Sequence, residues 1–202
     1  MTRSTILSQP YLAIAITALL LTACGGPDDT AHDTDTDSVA AQQATIPDSV
    51  ALMPGQSVGT FKLGDSDSLL FQRLGEPDFT DAAMGKAVLM WYIDTADAYL
   101  LSIFTSRDMG NDETARIQQI RVTSPDFKTG ESLQVGSTLA EIGDHYQITA
   151  VETYEKGGQT YSVYDSDAGI AFEIGPDDRC VAIIIHLVDA NKTTYLPLRP
   201  AD

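Results

Sequence analysis

The sequence predicts an α+β domain in which two tandem repeats, each a helix lying on an antiparallel β-meander, form a two-layer sandwich. Three observations predict this fold class. One apolar-polar-apolar-glycine pattern occurs twice, strand-like apolar segments follow each occurrence, and the links between those segments are too short for parallel crossovers. Hydrophobic residues make up 43% of the 202 residues, which is typical of a globular protein and not of a disordered chain.

The repeated pattern marks the beginning of two helices. Its occurrences, 61–66 and 133–138, both end in residues that are typical of a helix N-terminus. Gly75-Glu76-Pro77 is a stop signal for the first helix, and Thr138 with Glu141 forms a capping box for the second. A spacing of four residues places apolar side chains on one helical face. We therefore expect four helix side chains to reach the core: Leu70, Leu74, Ile142 and Tyr146.

Seven apolar segments are predicted as strands, three after the first helix and four after the second. Gly157-Gly158 and Gly175-Pro176-Asp177-Asp178 mark tight turns between them. Links of this length join antiparallel neighbours, because a parallel crossover needs a dozen or more residues. The predicted strands are 87–94, 99–105, 116–123, 148–155, 160–165, 170–174 and 180–188.

The first 23 residues indicate a secretory signal. Arg3 carries one positive charge ahead of an apolar run of eleven residues, 11–21, which is too short to span a bilayer and fits the h-region of a signal peptide. The run ends in Leu21-Thr22-Ala23-Cys24, which resembles the cleavage box of bacterial lipoproteins. We therefore expect cleavage before Cys24 and acylation of its thiol, which anchors the chain in a membrane. The alternative is an ordinary signal peptide with a chance cysteine.

Residues 24–50 are predicted to be the lipidated cysteine and an acidic, disordered tether. The segment 25–50 holds six aspartates and no lysine or arginine, and it cannot bury enough apolar surface to offset chain entropy. Gly25 favours the outer membrane, facing the periplasm, since an aspartate there favours retention in the inner membrane. The globular domain is expected to cover 51–202, with its two repeats at about 56–124 and 130–190.

The acidic composition excludes several kinds of partner. The chain has 29 Asp and Glu against 12 Lys and Arg, which gives a formal net charge of −17. Nucleic-acid binding needs a basic patch, and so does attraction to anionic lipid head groups. We therefore expect no nucleic-acid partner, and we expect membrane contact through the lipid anchor alone.

Part of the chain resembles a family of envelope lipoproteins. Gly64, the block Leu74-Gly75-Glu76-Pro77 and the pair Trp91-Tyr92 resemble the SmpA/OmlA lipoproteins of the outer-membrane β-barrel assembly machinery, over about residues 58–122. Those proteins usually have one copy of the unit, whereas the tandem arrangement resembles the β-lactamase inhibitor proteins. The resemblance implies two helix-plus-meander repeats in one curved sheet and an envelope location. It assigns no binding residue.

The sequence holds no recognisable catalytic motif, so no enzyme activity, cofactor or metal site is expected. H-E-x-x-H, C-x-x-C, P-loop and G-x-S-x-G patterns do not occur. His186 lies in an apolar strand, where a hydrogen-bonded sheet histidine is favoured over a catalytic one. The aspartate-rich segments 33–37 and 165–169 lack the glutamate that closes a calcium loop. Cys180 is expected to behave as a small buried hydrophobe.

Two strands suggest where a partner binds. In 99–104 and 181–188 both sets of alternating residues are mainly apolar, although the sheet face away from the helices normally meets water. Leu100, Phe104 and Ile184 are therefore the candidate partner-binding residues. Burial against the other half or against 51–62 is the alternative.

The aromatic pair Trp91-Tyr92 adds a further candidate. Adjacent strand residues point to opposite faces, so one of the two belongs to the core and the other is available to a partner.

Two classes of function stay open at this point. The first is a non-catalytic lipoprotein that binds an unidentified envelope protein as an assembly or scaffold module. The second is a protein or enzyme of the envelope that binds a small molecule or a cell-wall fragment. The first class predicts an apolar sheet face, and the second predicts a pocket with convergent polar groups and perturbed pKa values.

Overall fold

A computed structural model describes residues 48–188 and 197–200 of the chain. The expected signal peptide, Cys24 and all but the end of the expected acidic tether lie outside these residues. Among the described helices, none is long and apolar enough to cross a membrane. A 3-10 turn (Asp48–Val50) precedes the strands and helices.

Eleven strands and two α-helices make up the described residues. Helix α1 (Ser68–Leu74) lies between the third and fourth strands, and helix α2 (Leu139–His145) lies between the seventh and eighth. In chain order the strands are β1 (Leu52–Met53), β2 (Ser57–Val58), β3 (Phe61–Lys62), β4 (Phe79–Ala83), β5 (Lys86–Asp94), β6 (Tyr99–Asp108), β7 (Asp112–Val122), β8 (Thr149–Lys156), β9 (Gln159–Ser166), β10 (Ile170–Ile174) and β11 (Cys180–His186).

Eight strands form one antiparallel sheet, in the order β4-β5-β6-β7-β11-β10-β9-β8. Most neighbours in this sheet follow one another along the chain. The exception is the central pair β7–β11, in which Ile120 lies opposite Ile185 and Val122 lies opposite Ile183. Strands β4 and β8 are therefore the two edges of the large sheet. Strands β1, β2 and β3 form a separate antiparallel sheet.

The predicted α+β class, with tandem helix-plus-meander repeats in a two-layer sandwich, is wrong. The described part of the chain is mostly strand, and each helix has seven residues, or about two turns. Helices of that length cannot form a layer over eight strands. A three-stranded sheet, which was not predicted from the sequence, covers the large sheet together with the two helices. The described part of the protein is therefore mainly β, with two antiparallel sheets.

The predictions of individual strands and of the α2 cap are more accurate than the predicted fold class. The seven predicted strands are confirmed as β5 to β11, with ends that differ by a few residues. The capping box of α2 is also confirmed, because the Glu141 N–H donates to Thr138 Oγ1 at 3.2 Å and the Thr138 N–H donates to Glu141 Oε2 at 2.7 Å. This reciprocal pair fixes where α2 begins.

The main core lies between the large sheet and the two helices, on what we call the inner face of that sheet. Leu70 of α1 and Ile142 of α2 are fully buried in it, and Leu74 and Tyr146 pack against it while partly exposed. All four side chains therefore reach the core as expected, although Tyr146 does so from the extended residue after α2 and not from the helix itself. The strands contribute Leu89, Trp91, Leu101, Ile103, Ile117, Ile120, Val122, Ile170, Phe172, Ile183 and Ile185.

A close backbone contact docks the small sheet against the large one. The Gly55 N–H donates to the Gly169 carbonyl oxygen at 3.0 Å. Gly169 has a φ of +84°, and a Cβ added to it would lie 2.6 Å from the Gly55 Cα. Only glycine meets both requirements, so this turn between β9 and β10 fixes the position of the small sheet.

Candidate functional site

The opposite side of the large sheet, which we call the outer face, carries a second apolar cluster. Val88, Met90 and Phe104 are buried around Leu198, and Ile184 packs against them while partly exposed. Leu198 belongs to the last described residues of the chain. A part of the outer face is therefore covered by this chain itself.

The structure brings the three predicted partner-binding residues onto the outer face, but it exposes them unequally. Phe104 is 6% exposed, whereas Leu100 and Ile184 are half-buried. The cover of Phe104 comes from Leu198, while segment 51–62 lies on the inner face. Partner binding by Leu100, Phe104 and Ile184 stays a prediction.

An exposed aromatic pair lies on the outer face near the β4 edge. The rings of Phe79 and Tyr92 meet edge to face, with centroids 5.9 Å apart, and the two residues are 45% and 38% exposed. The neighbouring Trp91 points to the inner face, where it is buried and its Nε1–H donates to the Gly75 carbonyl oxygen at 3.2 Å. Of the pair that the sequence left open, Trp91 is the core residue and Tyr92 is the exposed one.

Within the part of the chain that the structure describes, strand β4 is an edge that lacks the usual protection against pairing with another chain. It pairs with β5 in an unbroken register from Phe79 opposite Met90 to Ala83 opposite Lys86, without a bulge. All five of its residues are exposed, and Asp81 is the one charged residue among them. Regular, weakly charged edges are those that accept a further strand.

Strand β8, the other edge, has both common forms of protection. Its register shifts between Ala150 and Glu152, and it carries three charged side chains, Glu152, Glu155 and Lys156. Bulges and edge charges both disfavour pairing with an added strand. The two edges of the same sheet therefore differ in how readily they can bind an extended segment.

The turn between β4 and β5 shows which backbone groups of β4 point outward. Met84 and Gly85 have φ values of +51° and +74°, and they form a two-residue hairpin turn. In such a hairpin the residues flanking the turn exchange two hydrogen bonds, and bonded pairs then alternate with non-bonded pairs. The N–H and C=O groups of Ala83 therefore face β5, and those of Thr80 and Ala82 point away from the sheet.

On β7, β8 and β10 the outer face carries a polar network. The Arg121 guanidinium donates from Nε and Nη2 to the two Glu173 carboxylate oxygens, at 2.9 and 2.8 Å. The Tyr154 hydroxyl donates to Glu173 Oε2 at 2.9 Å. The Arg199 guanidinium lies 3.6 Å above the Tyr154 ring, and its Nη1 is 3.6 Å from Glu173 Oε1. One carboxylate thus holds three partners together.

Mutual stabilisation sets the protonation states in this network. Burial alone would raise the pKa of Glu173, but the charge and hydrogen bonds of Arg121 outweigh it and hold that pKa below its ordinary value. Burial opposes the charge of Arg121 as well, yet the Glu173 carboxylate raises its pKa. Burial and the Glu173 charge raise the pKa of Tyr154. At neutral pH the network therefore keeps an ionised carboxylate and a neutral phenol, an arrangement suited to a structural role.

His186 is the hydrogen-bonded sheet histidine that its strand context predicts. Its Nε2 lies 2.8 Å from Asp165 Oδ1, and its Nδ1 lies 2.9 Å from the Leu187 carbonyl oxygen. The His186 and Asp165 side chains are 5% and 6% exposed. Both ring nitrogens are thus occupied by oxygen atoms of the protein.

Cys180 is buried, and its thiol donates to the Ala182 carbonyl oxygen at 3.3 Å. Burial raises the pKa of the thiol to about 12. The residue therefore behaves as the small hydrophobe that the sequence predicts. In residues 48–188 and 197–200 no group of three His, Cys, Asp or Glu side chains could hold a metal ion. The predicted lipidation residue, Cys24, lies outside those ranges.

Comparisons with known proteins provide no family for the chain. No family model matches it, and no curated protein matches it. One solved structure, an extracellular protein containing a SCP domain from Bacillus anthracis str. Ames, is similar at 12% identity with a TM-score of 0.40. The match covers 62% of this chain and 44% of that one, and similarity at this level supports no argument about function. The resemblance to SmpA/OmlA lipoproteins stays a prediction.

The sequence reasoning missed two features of this face, the β4 edge and the Arg121–Glu173 pair. Arg121 and Glu173 are 52 positions apart, so nothing in the sequence pairs them. A usable signal nonetheless exists, because each is a charged residue between apolar neighbours within a strand, in Ile120-Arg121-Val122 and Phe172-Glu173-Ile174. Opposite charges in two apolar strands favour a buried ion pair.

Proposed function

We propose that this chain is a lipid-anchored protein of the bacterial envelope, without enzyme activity, that binds a partner protein by adding a strand to β4. The observation that carries the proposal is the unprotected, regular β4 edge beside the exposed Phe79–Tyr92 pair. In strand addition, backbone hydrogen bonds supply affinity and nearby side-chain surfaces supply specificity. Here Thr80 and Ala82 offer the backbone groups, and the two aromatic rings offer the surface.

The negative charge of this chain limits which kinds of partner segment can bind at β4. Asp78 and Asp81 lie at or beside β4, and the whole chain carries a formal net charge of −17. An extended segment that is basic and apolar complements this edge, whereas an acidic segment is repelled. Association should therefore weaken as salt is added, because salt screens exposed charges.

The proposed lipid anchor rests on the sequence Leu21-Thr22-Ala23-Cys24, and Gly25 favours a location at the outer membrane, facing the periplasm. Intact-mass analysis of the envelope protein should give residues 24–202 plus the mass of the acyl chains. The Cys24→Ala variant should be released from the membrane fraction. A variant that stays fully membrane-bound would contradict the anchor and would leave the β4 proposal to be judged separately.

Site-specific photo-crosslinking in the native envelope tests strand addition. A photoreactive side chain at Thr80, which points its backbone away from β5, should form an adduct with a partner protein. The matched control is Thr153 on the protected edge β8, where the hairpin closed by Lys156 and Gln159 also directs backbone groups outward. Adducts at both positions in equal yield, or at neither, would reject the proposal.

Two proline variants make the test specific for backbone pairing. Ala82→Pro removes one outward N–H without touching the bonds between β4 and β5, and prolines are tolerated on edge strands. It should abolish the adduct formed from Thr80, whereas Thr153→Pro should leave that adduct unchanged. Melting temperatures of both variants establish that they fold. An adduct that survives Ala82→Pro in a folded protein would show that the partner does not pair with β4.

A further inference from the structure

An open cleft lies at one end of the large sheet, between the start of β6, the end of β7 and the start of β11. Its volume is about 610 Å³, within the range of small-molecule sites. Four of the twelve basic residues of this acidic chain line it: Arg121, Lys156, Arg179 and Arg199. A local concentration of positive charge is unexpected in a chain with a net charge of −17.

Two of these cations have no carboxylate contact in the described part of the chain. Arg179 is exposed, and its Nη1 donates to the Gly136 carbonyl oxygen at 2.8 Å. Lys156 is exposed at the end of β8, and its ammonium group forms neither a hydrogen bond nor an ion pair with any residue that the structure describes. Both are therefore available to an anion from solution.

The other two cations give the cleft a rigid wall. Arg121 is buried, and its two-point contact with Glu173 uses Nε and Nη2 and leaves Nη1 outside the pair. Arg199 is held between Glu152, at 2.6 Å, and the Tyr154 ring. Side chains that are already ordered lose little further entropy when a ligand binds.

The rest of the lining limits the size and charge of a ligand. Asp97 and Asp177 also line the cleft. Glu173 and Glu152 already pair with Arg121 and Arg199, so Lys156 and Arg179 supply the positive charge that is open to a ligand. Two cations suit one anionic group and not a polyanion, which the acidic remainder of the chain repels. An apolar wall next to the cations is formed by Tyr99, Leu100, Pro125, Val135 and Val181.

We propose that this cleft binds a small organic anion that carries one carboxylate or phosphate group on an apolar body. Lys156 and Arg179 contact the anionic group, and the wall beside Tyr99 receives the apolar body. The cleft is distinct from the β4 edge, so its occupation does not depend on strand addition by a partner protein.

Calorimetric titration of the full chain, made soluble by Cys24→Ser, tests the site with three probes. Benzoate and phenyl phosphate carry the two anionic groups on the same apolar ring, and benzamide is the neutral counterpart of benzoate. One or both anions should bind, more weakly at high salt, and benzamide should not. Preference for benzoate or for phenyl phosphate assigns the anionic group. Equal binding of benzamide, or binding of neither anion, would overturn the proposal.

Exposed variants locate the binding. Lys156→Gln and Arg179→Gln should each weaken anion binding by about threefold or more, and together by about tenfold, since each removes one close charge. The matched control is Arg73→Gln in α1, because Arg73 is also exposed and donates to a single backbone carbonyl, that of Thr60, at 3.2 Å. It should leave binding unchanged. An equal loss from Arg73→Gln would show a general charge effect and would contradict a site in the cleft.

Discussion

Replacing Glu173 by glutamine removes one charge from the ion pair at the centre of the outer face. Glutamine keeps the length of the side chain and an oxygen for the Tyr154 hydroxyl, but it leaves the Arg121 guanidinium without its carboxylate. The Arg121 and Glu173 side chains are 7% and 0% exposed, so water cannot replace the lost partner. Breaking a buried pair by removing one member costs about 3–5 kcal/mol, and we expect Glu173→Gln to lower the free energy of unfolding by that amount.

A double-mutant cycle separates the attraction between Arg121 and Glu173 from the free-energy cost of burying their two charges. Arg121→Met with Glu173→Met removes both charges, and the double variant should lose less stability than Glu173→Met alone, because no unpaired charge stays buried. Urea denaturation of Cys24→Ser proteins, followed by circular dichroism, measures these free energies. A loss below about 1 kcal/mol for either single variant would refute the reasoning, since exposed pairs behave in that way.

The same pair predicts how stability depends on acid. The pKa of Glu173 is lower in the folded protein than its ordinary value of 4.5, so the unfolded chain takes up a proton first as the pH falls. The stabilisation is therefore complete at neutral pH and is lost as the pH falls from about 4.5 through the folded-state pKa. The Glu173→Gln protein should lack this part of the acid sensitivity. Parallel acid dependence in the two proteins would assign the effect to other carboxylates.

Three further predictions concern single side chains. Ile142→Ala should cost about 2–5 kcal/mol in urea denaturation, because Ile142 is fully buried, and a loss below about half a kcal/mol would contradict its place in the core. Ser102→Ala should leave stability unchanged or raise it by up to about 1 kcal/mol, since the buried Ser102 hydroxyl has no hydrogen-bond partner in the described structure, whereas a clear loss would reveal one. Cys180 in the Cys24→Ser protein should react with Ellman's reagent only on unfolding, and rapid labelling of the native protein would contradict this. The free energy of unfolding should also fall as the pH rises from about 9 toward 12, because the thiol ionises first in the unfolded chain.

Local sequence patterns predicted β5 to β11 well, because the residues that indicate each strand lie within that strand and its flanking turns. Alternating apolar residues and glycine turns such as Gly157-Gly158 act over a few residues, and tertiary contacts did not override them. Helix α1 ends at Leu74, as the stop signal Gly75-Glu76-Pro77 predicts, whereas α2 has only an N-terminal signal, which fixes where a helix begins but not how long it is. Helix α2 ends at His145, and Tyr146 is already extended with a φ of −124°. The prediction of a helical layer is wrong because two helices of seven residues are too short to cover eight strands.

The small sheet and the β4 edge could not be predicted from their own residues. Strands β1, β2 and β3 have two residues each, and they are held by contacts such as that between Gly55 and Gly169, far apart in the sequence. All residues of β4 are exposed, so the strand shows no apolar alternation. The apolar outer face at Phe104 and Ile184 was visible in the sequence, whereas its cover by Leu198 depends on where the chain returns after β11.

The junction between β7 and β11 has a consequence for how the chain folds. Its partners, such as Val122 and Ile183, are about 60 residues apart, whereas the other neighbours in the large sheet are joined by turns or hairpins. Hairpins form within microseconds, but closing a long loop carries an entropy cost that grows with its length, so this junction should form late. Strand β7 is therefore a temporary edge of the sheet until β11 pairs with it. Arg121 on that strand places a charge among apolar side chains, which disfavours pairing between unfinished chains before Glu173 arrives to neutralise it.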